Sequence, residues 1–334
     1  MRNLEGGMQA LSSTGVDDVE SADSNLPFFF HIGWMRTGST YLQDLMGCHS
    51  EVHLVCKSRF FSHDPSFHRG RDAFYRDVIG DPASNARCIV DSDENYAMGR
   101  FKRELIRSEN ANFNFKAELQ VIYHDIDEMV RRMSLTVPHA RIIGVVRKQD
   151  DWLSSVYKHD VLHFGLYTSF ARFIRSELGQ AYLKAADYAR VFERYVGAFG
   201  PDRVQFLLYE DLQRCPDWFF EQISGFLGVE LTSKTDQSLR RNVSASYVAI
   251  ALLRRANRLS ETALHRPERT AYVLLRSWCM RIARRVDRIP KLSGSINVSS
   301  STERQEILDR YRIANRSLGK LLNRERDMAD YGYF

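Results

Sequence analysis

Residues 31–42 (HIGWMRTGSTYL) combine glycines, an arginine and hydroxyl side chains directly after an apolar segment. The apolar residues 27–32 predict a strand, and the residues after the second glycine predict an amphipathic helix with Leu42 on its apolar face. Glycines let the backbone turn sharply and bring several N–H groups toward one point, and a helix N-terminus adds positive potential. The segment therefore predicts an anion-binding loop.

This loop lacks the lysine of the triphosphate-binding pattern G-x-x-x-x-G-K-[ST]. Gly33 and Gly38 have the required spacing and Thr40 stands at the hydroxyl position, but Ser39 occupies the place of the lysine. The basic residue lies upstream, at Arg36. Such a loop is poorly suited to β- and γ-phosphates with magnesium, yet it can hold one 5′-phosphate that carries a reactive group. The alternative is a plain glycine turn with a solvated Arg36.

A second candidate anion site follows the strongest strand prediction, residues 141–146 (RIIGVV). Arg147 lies at the carboxyl end of this strand, where parallel α/β sheets bind their ligands. Ser155 lies in the predicted helix 150–163, so that a guanidinium and a hydroxyl can converge on one phosphate. The alternative is an ordinary strand and helix with Arg147 in a surface ion pair.

Both segments resemble the family of sulfotransferases that use 3′-phosphoadenosine 5′-phosphosulfate (PAPS). Residues 36–40 (RTGST) match the core R/K-[ST]-G-[ST]-[ST] of the family's 5′-phosphosulfate loop. Arg147 and Ser155 match its second motif, in which a serine follows a strand-end arginine by eight residues, and Tyr157 matches a frequent tyrosine. The resemblance implies that the 5′ end of the donor is bound by Arg36, Thr37, Gly38, Ser39 and Thr40. It implies that Arg147 and Ser155 bind the 3′-phosphate.

Weaker similarities extend along the chain. Residues 208–212 (LYEDL) and 226–229 (FLGV) resemble family segments, and the position of residues 240–244 makes Arg241 a further candidate contact of the 3′-phosphate. The ending, residues 330–334 (DYGYF), resembles bacterial members that act on carbohydrates or glycolipids. The resemblance thus implies sulfuryl transfer from PAPS, without a metal, to a hydroxyl of a glycan or glycolipid. A small-molecule kinase with a degenerate loop and a non-catalytic nucleotide- or polyanion-binding protein are the alternatives.

The proton acceptor of this reaction departs from the family pattern. Many carbohydrate-acting relatives carry a glutamate just before an aromatic pair, but here residues 57–59 (KSR) precede Phe60 and Phe61. Asp91 and Asp93 are the best substitutes, because they follow a predicted strand at the ligand-binding edge and neighbouring carboxylates raise one another's pKa. They could equally cap a turn or neutralise arginines. The histidines in reserve are His53, His63 and His124.

The order of elements predicts a three-layer α/β fold. Strands and helices alternate, which indicates a central parallel sheet, and the C-terminal section is helical; the resemblance implies a fold like that of P-loop nucleotide hydrolases. Predicted strands cover residues 27–32, 88–90, 141–146 and 204–209, and predicted helices cover 116–134, 150–163, 184–198 and 216–227. Gly228 is a candidate C-cap, and Ser300 with Glu303 forms a capping-box signature that opens the last helix.

Charge and composition separate an N-terminal tail from the rest of the chain. Residues 1–25 are polar, with one arginine against five acidic residues, and predict a disordered tail without an apolar signal segment. The whole chain carries +5, so that residues 26–334, which predict one domain, carry +9 after the −4 of the tail is subtracted. A basic body favours an anionic ligand.

The remaining features favour a cytoplasmic protein. Five scattered cysteines, never in a C-x-x-C pair, are typical of free thiols in a reducing compartment. His49 and His53 have helical metal-ligand spacing, but no further motif accompanies them and we expect no metal. The arginine-rich residues 254–288 indicate a solvated basic face; the alternatives are an acidic polysaccharide groove and peripheral contact with anionic lipid at the inner membrane face. No nucleic-acid-binding module is recognisable.

Overall fold

A parallel sheet of five strands in the order β2-β3-β1-β4-β5 lies at the centre of the molecule. The computed structural model describes residues 26–56, 74–98, 115–231, 247–263, 277–279, 281–282 and 298–334. The strands are β1 (Phe28–Gly33), β2 (Val52–Cys56), β3 (Cys88–Asp93), β4 (Arg141–Val146) and β5 (Val204–Leu208). The chain runs from β1 to β2 and β3 on one side and then to β4 and β5 on the other. The carboxyl end of β1 is therefore the switch point where such sheets bind ligands.

Helices cover both faces of the sheet and form the C-terminal section. In chain order they are α1 (Ser39–Gly47), α2 (Asn95–Met98), α3 (Phe115–Thr136), α4 (Gln149–Phe164), α5 (Phe170–Arg175), α6 (Glu177–Ala185), α7 (Tyr188–Phe199), α8 (Tyr209–Arg214), α9 (Pro216–Leu227), α10 (Tyr247–Ala263), α11 (Ser301–Leu321) and α12 (Glu325–Asp330). A π-helical turn spans Tyr75–Ile79, and a 3₁₀ turn spans Pro201–Arg203. This architecture confirms the predicted α/β class.

Alternation along β1 supplies two separate cores. Phe28, Phe30 and Ile32 lie on one face and pack into an apolar cluster with residues of α3, α4 and α7. Phe29 faces the other way and packs with residues of α1 and α9. Because successive side chains of a strand point to opposite faces, one continuous apolar run satisfies both helical layers. The result is the three-layer arrangement predicted from sequence.

Several elements differ from the predictions, among them β3, which extends from the predicted residues 88–90 to Asp93, so that Asp91 and Asp93 lie within the strand and do not follow it. The edge strand β2 was not predicted, because His53 interrupts its short apolar run and most of its residues are only half-buried. The predicted helix 184–198 is in fact two helices, α6 and α7. The break lies at Ala186 and Asp187, where the Asp187 carboxylate accepts a hydrogen bond at 3.3 Å from the backbone N–H of Arg190 and so caps α7.

The C-terminal section confirms both predicted caps. Helix α9 ends at Gly228, whose φ of 75° places it in the left-handed region. Ser300 caps α11, and Glu303 completes the capping box through hydrogen bonds to the Ser300 backbone N–H and hydroxyl. Within the described ranges, no helix combines the length and apolarity that a bilayer span requires.

Candidate active site

The loop of residues 33–40, here called the glycine loop, leaves β1 and enters α1 at the switch point. Arg36 and Gly38 have φ values of 68° and 87°, in the left-handed region. This conformation strains a side chain at Arg36 and is free of strain at Gly38. The Thr37 hydroxyl donates a 2.5 Å hydrogen bond to the carbonyl of Trp34 and so closes the turn. Thr40 is exposed, whereas Ser39 is buried.

Two indole N–H groups fix the glycine loop by hydrogen bonds to backbone carbonyls. The Trp34 Nε1–H donates to the carbonyl of Ala185 at 2.8 Å, and the Trp152 Nε1–H donates to the carbonyl of Met35 at 2.8 Å. Both tryptophans are fully buried. A buried indole N–H without a partner would cost free energy, so both hydrogen bonds favour this conformation. The first joins Trp34 of the loop to α6, and the second joins the loop backbone to α4. The loop is therefore anchored in its conformation before any ligand binds.

Arg36, Arg147 and Ser155 lie together at the carboxyl edge of the sheet. The Arg36 Nε–H donates to Ser155 Oγ at 3.3 Å, and an Arg147 Nη1–H donates to the Arg36 carbonyl at 3.3 Å. The structure thus brings the glycine loop into contact with the second predicted anion site. Ser155 contacts Arg36, whereas the sequence pattern suggested only that it faces the same phosphate as Arg147.

The positive charges of the Arg36 and Arg147 guanidinium groups repel each other. The pKa of Arg36 is lowered, first by its burial and second by the nearby charge of Arg147, while Tyr209 and Glu94 act in the opposite direction. Like charges held close together favour an anion between them. The charge of the site is therefore complementary to a phosphate or sulfate group.

Tyr209 packs against both parts of the site. Its ring lies under the Arg147 guanidinium, with 4.7 Å between Cζ and the ring centroid. On its other side, a ring carbon would stand 3.5 Å from a Cβ atom at Gly38, and Leu212 Cδ2 would stand only 3.0 Å from it. A Cβ atom at Gly38 would be in ordinary contact with Tyr209, but Leu212 would have to shift by a few tenths of an ångström, which adds a packing contribution to the conformational one.

Glu94 was not among the residues predicted from sequence. It follows β3 directly and accepts a hydrogen bond from the Ser39 hydroxyl of the glycine loop. Its charge also stabilises the protonated form of Arg36. The signal that could have found it is its place immediately after a buried strand, one residue beyond Asp93. Its contact with the glycine loop is seen directly.

Asp91 and Asp93, the predicted catalytic carboxylates, lie in β3 itself and are 0% and 1% exposed. Asp91 accepts a 2.6 Å hydrogen bond from the hydroxyl of Tyr96. Because side chains alternate along β3, both carboxylates lie on the face of the sheet opposite to Ser92. The Ser92 hydroxyl contacts His31 Nδ1 at 2.7 Å and accepts a hydrogen bond from Gln43 at 2.9 Å. A base at Asp91 would have to act from within the core, so their catalytic role stays a prediction.

Several other predicted residues fall elsewhere. Arg241 and His63 lie outside the described residues, and of His124 only the helical backbone is described. Tyr157 is buried and donates to the carbonyl of Thr168 at 2.7 Å, away from the glycine loop. His53 contacts the carbonyl of Ile79 at 2.8 Å.

The histidine pair considered as a metal site is not on one helix. His49 follows α1 and contacts the carbonyl of Glu230 at 3.0 Å, whereas His53 lies in β2. Among the residues that the structure describes, no three His, Cys, Asp or Glu side chains lie close enough together to hold a metal ion. All five cysteines are free.

The glycine loop and the Arg147 segment both lie inside a match to a protein-family model. Residues 27–233 match the model of the sulfotransferase family. The chain belongs to the sulfotransferase family. Sulfuryl transfer is therefore its general reaction class, and the resemblance inferred from residues 36–40 and 147–155 is confirmed at the level of the family. A search of curated proteins finds no match to the chain.

Solved sulfotransferase structures are similar to this sulfotransferase chain at low identity. A sulfotransferase from Alicyclobacillus acidocaldarius is 20% identical, with 74% of this chain and 98% of that chain covered and a TM-score of 0.45. Mouse sulfotransferase SULT7A1, solved in complex with PAP, is 12% identical, with 92% and 89% covered and a TM-score of 0.41. The family assignment depends on the sequence match and on the site described above.

The described part of the basic segment 254–288 is partly engaged within this sulfotransferase. Arg254 Nε donates to the carbonyl of Tyr167 at 3.2 Å, and α10 buries Ile250 and Leu253 in the core. Trp278 is 57% exposed. Arg254 therefore serves the fold.

Proposed function

We propose that this sulfotransferase transfers the sulfuryl group of PAPS to a hydroxyl of an acceptor, as the family resemblance implies. The observation that carries the proposal is the contact between Arg36 and Ser155 and between Arg147 and the Arg36 carbonyl. Because the two predicted phosphate sites adjoin, one adenosine bearing phosphates at both ends can reach both of them. Separate cavities for the two arginines would have argued against a single nucleotide.

In this proposal each end of the donor has its own set of residues. The backbone N–H groups of the glycine loop, with Thr37, Gly38, Ser39 and Thr40, bind the 5′-phosphosulfate at the N-terminus of α1. Arg147 and Ser155 bind the 3′-phosphate, and Arg241, outside the described residues, is a further proposed contact. Neutralising the two neighbouring guanidinium groups supplies part of the binding energy, since burial and Arg147 already lower the pKa of Arg36.

The reaction itself needs alignment, charge stabilisation and one proton transfer. The acceptor oxygen forms a bond to sulfur while the bond from sulfur to the 5′-phosphate oxygen breaks, and 3′-phosphoadenosine 5′-phosphate (PAP) leaves. Arg36 stabilises the negative charge that develops on the departing phosphate, as charged groups do in phosphoryl transfer. The acceptor proton passes to a carboxylate of the protein.

We propose Glu94 as that carboxylate, with Asp93 and Asp91 as the alternatives predicted from sequence. Glu94 accepts from Ser39 and interacts with Arg36, so it lies beside the group that binds the reacting end of the donor. A general base must come within hydrogen-bonding distance of the acceptor hydroxyl. Asp93, at 1% exposure, has no such access in this conformation.

Glu94 also argues against the kinase alternative. Ser39 stands where a triphosphate-binding loop has its lysine, and its hydroxyl donates to the Glu94 carboxylate. A negative charge at this place repels the γ-phosphate that the lysine would otherwise attract. The 5′-phosphosulfate of the proposed donor carries less negative charge than a triphosphate, so the same carboxylate opposes its binding less.

Ligand-dependent thermal unfolding tests the proposed donor. We expect PAP, without magnesium, to raise the melting temperature of the wild-type protein and ATP to have little effect, because a ligand that binds only the folded state stabilises it. Magnesium-dependent stabilisation by ATP would instead support a kinase. A response to any polyanion that disappears in moderate salt would support a non-catalytic binding protein.

The acceptor is proposed from the resemblance of residues 330–334 to carbohydrate- and glycolipid-acting members. Labelled PAPS incubated with fractionated cell extracts would reveal the labelled product class. Transfer of label to a glycan or glycolipid fraction is expected. For glycolipid, peripheral contact of the arginine-rich residues 254–288 with anionic lipid would bring enzyme and acceptor together, and sedimentation with anionic against neutral vesicles tests it.

A further inference from the structure

The C-terminal arm, residues 325–334, lies beyond the part of the chain that matches the family model. It nevertheless reaches two consecutive carboxylates next to the candidate active site. The Tyr333 hydroxyl donates to Glu210 Oε2 at 2.9 Å, and the Tyr331 hydroxyl donates to Asp211 Oδ1 at 2.8 Å. Both carboxylates belong to α8, the helix that starts with Tyr209. The arm therefore holds the element that packs against the glycine loop.

Glu210 connects the arm to the second anion site. Its Oε1 accepts a 3.0 Å hydrogen bond from the backbone N–H of Lys148, the residue that follows Arg147. The two oxygens of one carboxylate are thus divided between Tyr333 and the end of β4. Burial raises the pKa of Glu210, while the Lys148 N–H, the Tyr333 hydroxyl and the charge of Arg147 act to lower it. Arg147 and Glu210 are therefore electrostatically coupled.

Tyr209, the residue before Glu210, completes the connection. Its ring supports the Arg147 guanidinium at 4.7 Å and faces Gly38 of the glycine loop. A shift of Glu210 would move both the ring beneath Arg147 and the backbone that carries Arg147. The geometry of the proposed 3′-phosphate contact thus depends on a carboxylate that the nucleotide itself need not touch.

Tyr333 is fixed on its other side as well. Its carbonyl accepts a 2.9 Å hydrogen bond from Asn315 of α11, and Asn315 exchanges two side-chain hydrogen bonds, at 2.7 and 3.0 Å, with Gln149 at the start of α4. Tyr333 is 0% exposed. Because both ends of the residue are held and its ring is buried, its hydroxyl has little freedom to leave Glu210.

We propose that Tyr333 is a positioning residue of the donor site, which acts through Glu210 to hold Arg147 in place for the 3′-phosphate. This inference rests on the proposed function, since it takes PAPS as the donor. Removing the Tyr333 hydroxyl should loosen Arg147 and leave the chemical step intact. We expect Tyr333→Phe to weaken PAP binding roughly 3- to 10-fold.

Tyr182→Phe is the matched control. Tyr182 is also fully buried and donates to a buried carboxylate, Asp160 Oδ2, at 2.9 Å, but this pair lies further along α4 and away from Arg147. Both variants lose one hydroxyl and leave one carboxylate short of a donor, half-buried at Glu210 and fully buried at Asp160. A general loss of stability should therefore affect them alike, and only a positioning role predicts a difference in donor affinity.

Isothermal titration with PAP, followed by kinetics with PAPS, tests the proposal. We expect Tyr333→Phe to raise the PAP Kd and the donor KM with kcat and the acceptor KM unchanged, and Tyr182→Phe to raise neither. Glu210→Gln, which removes the charge that faces Arg147, should reproduce the effect and replaces Tyr333→Phe if the latter fails to fold. Equal PAP affinity in wild type and in the Tyr333 or Glu210 variant would overturn the positioning role alone. Absence of PAP binding to the wild type would overturn the proposed function and this inference with it.

Discussion

The Arg36 guanidinium lies 3.3 Å from the Ser155 hydroxyl, across a separation of 119 residues in the chain. The contact exists because the loop after β1 and the helix after β4 emerge at adjacent positions of the same sheet edge. Arg36 therefore stands between the two proposed phosphate sites. Substituting Arg36 should therefore affect mainly catalysis, and substituting Arg147 should affect mainly donor binding.

Arg147→Ala should raise the Kd for PAP by about 10- to 100-fold, because it removes a charged hydrogen-bond donor from the proposed 3′-phosphate site. Arg36→Ala should instead lower kcat by about 10²- to 10³-fold with a smaller change in Kd, because the charge it stabilises develops in the transition state. Calorimetric titration with PAP and steady-state kinetics measure the two effects.

Arg141→Ala is the control for this pair. Arg141 begins the same strand but lies at its opposite end, where it donates to the Phe226 carbonyl at 2.7 Å and packs over the Phe226 ring. Its loss should lower stability and leave PAP affinity unchanged. Equal losses of donor affinity in the Arg36 and Arg147 variants would refute the division of roles.

Glu94→Gln should lower kcat by about 10²- to 10⁴-fold, the range typical of a lost general base. PAP binding should be retained, since a glutamine oxygen still accepts from Ser39. Asp93→Asn is the competing variant, because Asp93 was predicted as the base from its position after the predicted strand 88–90. Single-turnover rates decide between them: a large loss confined to Asp93→Asn would return the role to the predicted residue.

Gly38→Ala should destabilise the protein by about 1–3 kcal/mol, because alanine at positive φ is strained. Its Cβ would also stand 3.0 Å from Leu212 Cδ2. Gly197→Ala is the control, since Gly197 lies in α7 with nothing within 4 Å of a Cβ atom and should gain about 0.5–1 kcal/mol. Urea unfolding measures both. An unchanged free energy of unfolding in Gly38→Ala would contradict the packing described for the loop.

His31 should make the folded state sensitive to acid. Burial lowers its pKa from 6.5 to about 4, so the unfolded chain binds the proton more readily than the folded one. Stability contributed by the neutral ring is fully present above pH 6.5 and is lost as the pH falls toward 4, by about 2 kcal/mol between pH 7 and pH 5. His31→Asn should reduce this slope in urea unfolding at the two pH values; an equal slope in both proteins would assign the effect to other groups.

The parts of the fold with strong local signals could be predicted from sequence. Residues 141–146 form an apolar run with β-branched side chains, and the strand coincides with it. The signal failed at β2, whose side chains are mostly half-buried, and at Asp187, whose carboxylate caps α7 and so divides one predicted helix into two. The period of apolar residues does not indicate such a cap, because it reflects burial and not the hydrogen bonds at a helix end.

Some residues of the candidate site could likewise be predicted from sequence, and others could not. The motif residues Arg36, Arg147 and Ser155 could be named because they match the two motifs of the family that the chain resembles, and parallel topology then brings them together. Glu94 could not, because its role depends on a contact with Ser39 that closes across two strand ends. The hydrogen bond from Tyr333 to Glu210 joins residues 123 positions apart, and the sequence around either residue does not indicate it.

Two of the four tryptophans of the chain fix the glycine loop through their indole hydrogens: Trp34, a loop residue, donates to the carbonyl of Ala185, and Trp152 donates to the carbonyl of Met35. Indole emission responds to the polarity and hydrogen bonding around the ring, so the loop carries an intrinsic optical reporter of its own state. A rearrangement that breaks either hydrogen bond should consequently change the emission of the unlabelled enzyme.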